Sequence, residues 1–235
     1  MFKADLFYFL FQIYPYVCFA VFIVGTLLRY ERAQYGWRAG SSEILRKKSL
    51  MWGSTLFHVG VILLLMGHFV GLLTPEWLYN SMGLSTAHKQ MLAITAGSIF
   101  GSLTFVGLTI LMIRRFTDPR IRKNSRFSDD FIVVLLWVQL CLGLSTIPIS
   151  LHYPDGSHMV ELANWVQHIV TFRPGAVQFL TGVQWPYLVH LVIGMTLFLV
   201  FPFTRLVHVI SAPVMYMFRP GYQIVRRRAF SIFRK

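Results

Sequence analysis

Five apolar runs, each long enough to cross a bilayer, constrain this chain more than any other feature. They are Leu6–Leu28, Ser54–Leu73, Met91–Ile113, Phe131–Ile149 and Tyr187–Ile210. A bilayer core needs roughly 20 apolar residues per helix. Stretches such as Val59–Val70 and Leu188–Val200 carry no polar face apart from isolated histidines, whereas a helix in a soluble bundle keeps one. The expected fold is therefore all-α: an integral membrane five-helix bundle, one membrane domain over residues 1–235. Charged residues make up 13% of the chain, about half the share usual in a soluble domain. The first run has no clear basic segment ahead of it and no small-residue cleavage site before Arg29. It reads as a retained span rather than a signal peptide.

The distribution of charge sets the expected topology. Of the 22 lysines and arginines, nineteen lie after span one, between spans three and four, or after span five. The first group is Arg29, Arg32, Arg38, Arg46, Lys47 and Lys48; the second is Arg114, Arg115, Arg120, Arg122, Lys123 and Arg126. The third runs from Arg205 into the basic tail 211–235. Only Lys3, Lys89 and Arg173 fall to the other side. By the positive-inside rule the N-terminus is outside and the C-terminus cytoplasmic. The net charge of +13 thus needs no nucleic acid; it suits anionic lipid or an acidic partner.

The outer connections carry surface-seeking residues. Thr74–Gln90 holds Pro75, Trp77 and Tyr79. The longer one has a turn signal, Pro154-Asp155-Gly156, then an amphipathic stretch Ser157–Phe172. Its Trp165 and Phe172 suggest a helix lying on the outer surface. Gly67-x-x-x-Gly71 and Gly97-x-x-x-Gly101 fit close helix packing. Gly53, Gly60 and Gly67 recur every seven residues, a stripe that admits either a neighbouring helix or a flat macrocycle. Cys18 and Cys141 fall within apolar runs with no CxxCH. They read as packing residues, and covalent haem attachment to this chain is excluded.

Four of the eight histidines lie in just two spans: His58 and His68 in span two, His190 and His208 in span five. An ionisable group inside a membrane span is costly and points to function. Along a helix His58 and His68 are separated by about 15 Å, and His190 and His208 by about 27 Å. Spans two and five run antiparallel, being three crossings apart. His58 therefore pairs with His208 toward the cytoplasm, and His68 with His190 toward the outside. The two spacings differ by about 12 Å, so the pairs cannot both be level; a slant of about 6 Å in each would absorb the difference, and tilt or a bend at Pro202 would help. His88, His152, His158 and His168 read as solvated or interfacial residues.

Each level offers two imidazoles without a nearby cysteine or carboxylate. Zinc takes four protein ligands, or three and an open position. Two ligands from opposite sides suit an iron whose equatorial positions are filled by porphyrin. Two haems b, each bis-histidine, are the expected cofactors. With both axial positions taken they make an electron relay rather than an oxygen-activating site.

The chain resembles the gamma subunit of membrane-bound respiratory nitrate reductase, the cytochrome b anchor of that complex. The resemblance is carried by Ile13-Tyr14-Pro15-Tyr16, Leu28-Arg29-Tyr30, Leu56-Phe57-His58, Gly67-His68-Phe69, Leu73-Thr74-Pro75, Gly194-Met195-Thr196-Leu197-Phe198 and Phe201-Pro202-Phe203. It implies five spans, two haems b on the pairs above, and quinol oxidation near the outer haem. It also implies a quinol site involving Lys89 and Gly67, with a snorkelling lysine at the interface as the plainer reading of Lys89. Protons would leave outward. Electrons would pass inward to an iron–sulfur beta subunit and a molybdenum-containing alpha subunit on the cytoplasmic face, where nitrate is reduced. The setting implied is a bacterial or archaeal inner membrane. Two alternatives are weighed against it. One is an equivalent anchor of a sulfur-cycle, heterodisulfide-reductase or nitrite-oxidising complex. The other is a haem-free transporter with a histidine proton relay, which predicts inverted repeats or helices broken at mid-membrane.

Overall fold

The computed structural model describes residues 2–33, 45 and 47–210. The basic tail 211–235 and the segment holding Arg38 and Arg46 lie outside the described residues. All five apolar runs are helical, as Ala4–Ala33, Lys47–Leu73, Thr86–Thr117, Phe127–Leu151 and Trp185–Phe203. The chain is a multi-pass membrane protein. Among the described residues every regular element is a helix. Spans two, three and four reach past the apolar runs into the basic connections, since nothing there breaks a helix until Asp118 caps the next turn through its side chain.

Span two packs on span three, span three on span four, span four on span five, and span five on span one. The tightest crossing joins spans two and three. A Cβ on Gly60 would collide with Thr104, and one on Gly107 with the backbone of Phe57. A Cβ on Gly53 would come within 3.0 Å of Ile110. The glycine stripe therefore divides: Gly53 and Gly60 admit span three, whereas Gly67 has no neighbour within 4 Å of its Cβ position. Gly71 and Gly97 are likewise open, so neither forms the close contact expected of its motif; Gly101 does, against Leu144.

Span one is not a regular α-helix throughout. Residues Phe9–Ile13 form a π-helical turn ahead of Pro15. Proline has no N–H for the carbonyl four residues back, which here is that of Phe11. Trp165 Nε1 donates to that carbonyl at 2.9 Å instead. Trp165 is 2% exposed, which corrects its reading as a surface anchor. It lies on the helix Ser157–Val170, whose apolar face packs inward with Phe11, Ile169, Leu180 and Tyr187 rather than into headgroups. Phe172 keeps its outward position at 80% exposed.

Span five departs from expectation at its C-terminal end. Its α-helix stops at Val200; a 3-10 turn covers Phe201–Phe203, Thr204 is extended, and a second 3-10 turn runs Arg205–Val209. His208 thus stands on a separate turn, and the straight rise of 27 Å from His190 does not apply. Pro202 is the cause, because it cannot continue the α-helical bonding. The break is at the C-terminal end of the span, not in its middle.

Candidate functional site

The broken span five brings four histidines into two facing pairs across the gap to span two. His58 and His208 have ring centroids 6.2 Å apart and planes 71° apart. His68 and His190 are 6.3 Å apart with planes at 36°. An imidazole nitrogen binds a first-row metal at about 2 Å, with its ring centroid about 1.1 Å behind, so two imidazoles trans on one ion sit about 6.2 Å apart. Both pairs have that spacing. Among the described residues no three His, Cys, Asp or Glu side chains form a group that could hold a metal ion; each level brings two imidazoles face to face.

The ring tautomers follow from the outer partners. Nδ1 of His58 lies 2.7 Å from the Ser54 carbonyl, and that of His68 lies 2.8 Å from Leu64. Nδ1 of His190 meets the Gln139 carbonyl at 3.1 Å, and that of His208 meets Arg205 at 2.6 Å. A carbonyl only accepts, so each Nδ1 carries the proton and each Nε2 keeps its lone pair. Ligating histidines are held in this way. The bond alone does not mark a ligand: His152 and His168 make it too, to Pro148 and Asn164. Facing a second histidine distinguishes the four.

Gln139 of span four was not singled out by the sequence, though a lone amide within an apolar run is a signal. Its Nε2 donates to the His190 carbonyl at 3.0 Å and approaches His190 Nε2 at 3.3 Å. Its Oε1 is buried without a partner. Gly143, one turn further along, leaves room for the ring: a Cβ there would lie 2.9 Å from His190 Cε1.

Lys89 does not snorkel. It is 7% exposed, its ammonium lies 3.9 Å from the centre of the Tyr79 ring, and it donates to the Thr74 carbonyl at 3.2 Å. Gln167 Nε2 from the loop helix joins it at the end of span two, bonding the Leu72 carbonyl at 3.0 Å. Thr74 is six residues beyond His68, about 9 Å along the axis. Gly67 faces open space beside His68. His88 instead bonds the N-cap of its own helix: its backbone N–H donates to Ser85 Oγ at 3.3 Å, and its Nδ1 lies 2.7 Å from the same oxygen.

Part of the basic face is used internally. Arg205 binds Asp129 with two bonds of 2.9 Å; Arg115 reaches Asp130 at 3.2 Å; Arg114 donates to the Leu45 carbonyl at 2.7 Å. Such arginines cannot be counted as surface offered to a partner.

The family described as "Nitrate reductase gamma subunit" matches residues 7–228. The chain is 50% identical to the respiratory nitrate reductase 2 gamma chain of Escherichia coli K12, over 94% of this chain and 96% of that one. It is 47% identical to the respiratory nitrate reductase 1 gamma chain of the same organism, over 94% and 97%. With the nitrate reductase gamma chain of Bacillus subtilis it shares 40% identity over 94% and 98%. Five membrane-crossing helices and these matches together make the chain a member of the respiratory nitrate reductase gamma-subunit family, the membrane subunit of an oxidoreductase complex.

Proposed function

We propose that this chain is the dihaem cytochrome b of its complex, oxidising quinol near the outer face and delivering electrons to a cytoplasmic iron–sulfur beta subunit, with nitrate reduced on a molybdenum-containing alpha subunit. His58 and His208 would hold the inner haem b, and His68 and His190 the outer. The carrying observation is the pair of imidazole separations, 6.2 and 6.3 Å. When bound, the haems supply one-electron redox chemistry.

The chain's own residues do the rest. Each Nδ1–H bond to a carbonyl fixes a ring and raises the basicity of its Nε2. Two histidines on each haem would leave no position for another ligand. The buried Lys89 ammonium and the open surface at Gly67 support a quinol site at the outer end of span two, with the ammonium as donor to a quinol oxygen. Quinol protons would leave on that side. The excess of lysine and arginine at the opposite ends of the spans supports an N-terminus outside and a C-terminus in the cytoplasm of a bacterial or archaeal cell. Each electron moved inward while its proton stays outside stores about 2.3 kcal/mol per 100 mV of membrane potential.

The test is spectral. The purified complex should show two low-spin b haems on this chain, and His190→Ala should remove one of them and stop quinol oxidation. A single haem in the wild type, or four dispensable histidines, overturns the reading.

A further inference from the structure

The break in span five leaves backbone groups that a bilayer cannot solvate, and each unsatisfied group there costs several kcal/mol. Arg29 of span one supplies the partner. Its Nη1 donates to the Pro202 carbonyl at 2.6 Å and to the Thr204 carbonyl at 2.8 Å. One turn earlier, Gly25 makes room for the proline: a Cβ there would lie 2.8 Å from Pro202 Cγ. Before that, Phe22 meets Phe201 edge-on at 4.9 Å. Phe22, Gly25 and Arg29 lie on one face of a helix, so a continuous stripe of span one is shaped to the broken segment.

The turn that follows is gripped from the other side. Arg205 is clamped by Asp129 of span four through two parallel bonds of 2.9 Å, the bidentate geometry that fixes a guanidinium in orientation as well as place. The carbonyl of the same Arg205 accepts the His208 Nδ1 proton at 2.6 Å. The ligand on the irregular turn is therefore set by two ion-dipole or ion-pair contacts from two other spans. Its partner His58 needs none, being held within its own helix by Ser54.

We propose that Arg29 and Asp129 are positioning residues for His208: Arg29 fixes the break at Pro202–Thr204, and Asp129 fixes Arg205, so that together they set the axial geometry of the inner haem. This rests on the reading of His58 and His208 as that haem's ligands. A disturbance at either residue reaches the inner haem through His208 and leaves the outer one, on the regular part of span five, unaffected.

The experiment uses the whole purified complex with Arg29→Gln, Arg29→Lys, Asp129→Asn and His208→Ala. Haem content, the low-spin resonances of each haem, a redox titration, and the kcat and KM for quinol are read together. Arg29→Gln and Asp129→Asn should each shift the resonance and the midpoint potential of the inner haem alone. kcat should drop tenfold or more while the KM for quinol stays unchanged. Arg29→Lys, which keeps a cation with several N–H donors but not the length and planar shape of the guanidinium, should fall between. Inner-haem signals unchanged in both Arg29→Gln and Asp129→Asn overturn the proposal, as does equal loss of both haems in all of the Arg29 and Asp129 variants. His208→Ala separates the two levels of inference. If it removes the inner haem while the other variants do nothing, only the positioning role fails; if it leaves both haems in place, the ligand assignment itself fails.

Discussion

His68 and His190 face each other at 6.3 Å between ring centroids, from two spans joined by a chain of helix contacts running through spans three and four. If one haem bridges them, either single replacement removes the same haem. His68→Ala, His190→Ala and the double variant should then show the same haem content, one fewer than wild type, because the loss is not additive within a pair. Combining His68→Ala with His58→Ala should remove both. Pyridine haemochrome analysis of the purified complex distinguishes these outcomes.

Gln139 holds His190 by its backbone carbonyl and its amide. Gln139→Leu keeps the carbonyl and loses the amide. If His68 and His190 hold a haem, it should remain, with a changed midpoint potential, while a haem on His58 and His208 titrates as before. A redox titration that leaves both potentials in place removes Gln139 from the site.

Lys89→Met keeps much of the side-chain bulk and removes the ammonium. Thr74 retains a weaker contact from Gln167, whose Nε2 is 3.5 Å away, so the outer end should still fold. Quinol kcat/KM should fall about tenfold, equivalent to about 1.4 kcal/mol, with both haems retained. Unchanged quinol kinetics would reduce Lys89 to a structural cap.

The crossing of spans two and three should tolerate no added volume. Gly60→Leu or Gly107→Leu drives atoms into the opposing backbone, an overpacking that costs about 1–3 kcal/mol or more. Gly97→Ala, with nothing within 4 Å of its Cβ, is the matched neutral change. Thermal unfolding in detergent should separate the two groups.

The spans and the histidine pairing were readable from the chain because hydropathy and helical rise are local quantities. Pairing needed only the parity of crossings. The reach of span five was not readable: Pro202 announced a bend, but the segment that carries His208 on a separate turn is bonded by Arg29, 173 residues from Pro202. Trp165 shows the same limit. A tryptophan near a membrane surface has one sequence signature whether it anchors in headgroups or, as here, caps the carbonyl of Phe11. Counting positive charges gave an expected orientation, yet it could not say that Arg29, Arg114, Arg115 and Arg205 bond within the bundle.

The contact between Trp165 and Phe11 also bears on biogenesis. Span one leaves the ribosome first, but the groups that complete it come from Trp165, Val177 and the break after Val200. Until those arrive, the Phe11 carbonyl and the Arg29 guanidinium lack the partners that Trp165, Pro202 and Thr204 give them among the described residues. Span one should therefore take its final packing only after those later segments are in place. Ribosome-arrested chains ending before residue 165 should leave it extractable or open to chaperones, and chains long enough to have released Pro202 and Thr204 should lock it in place.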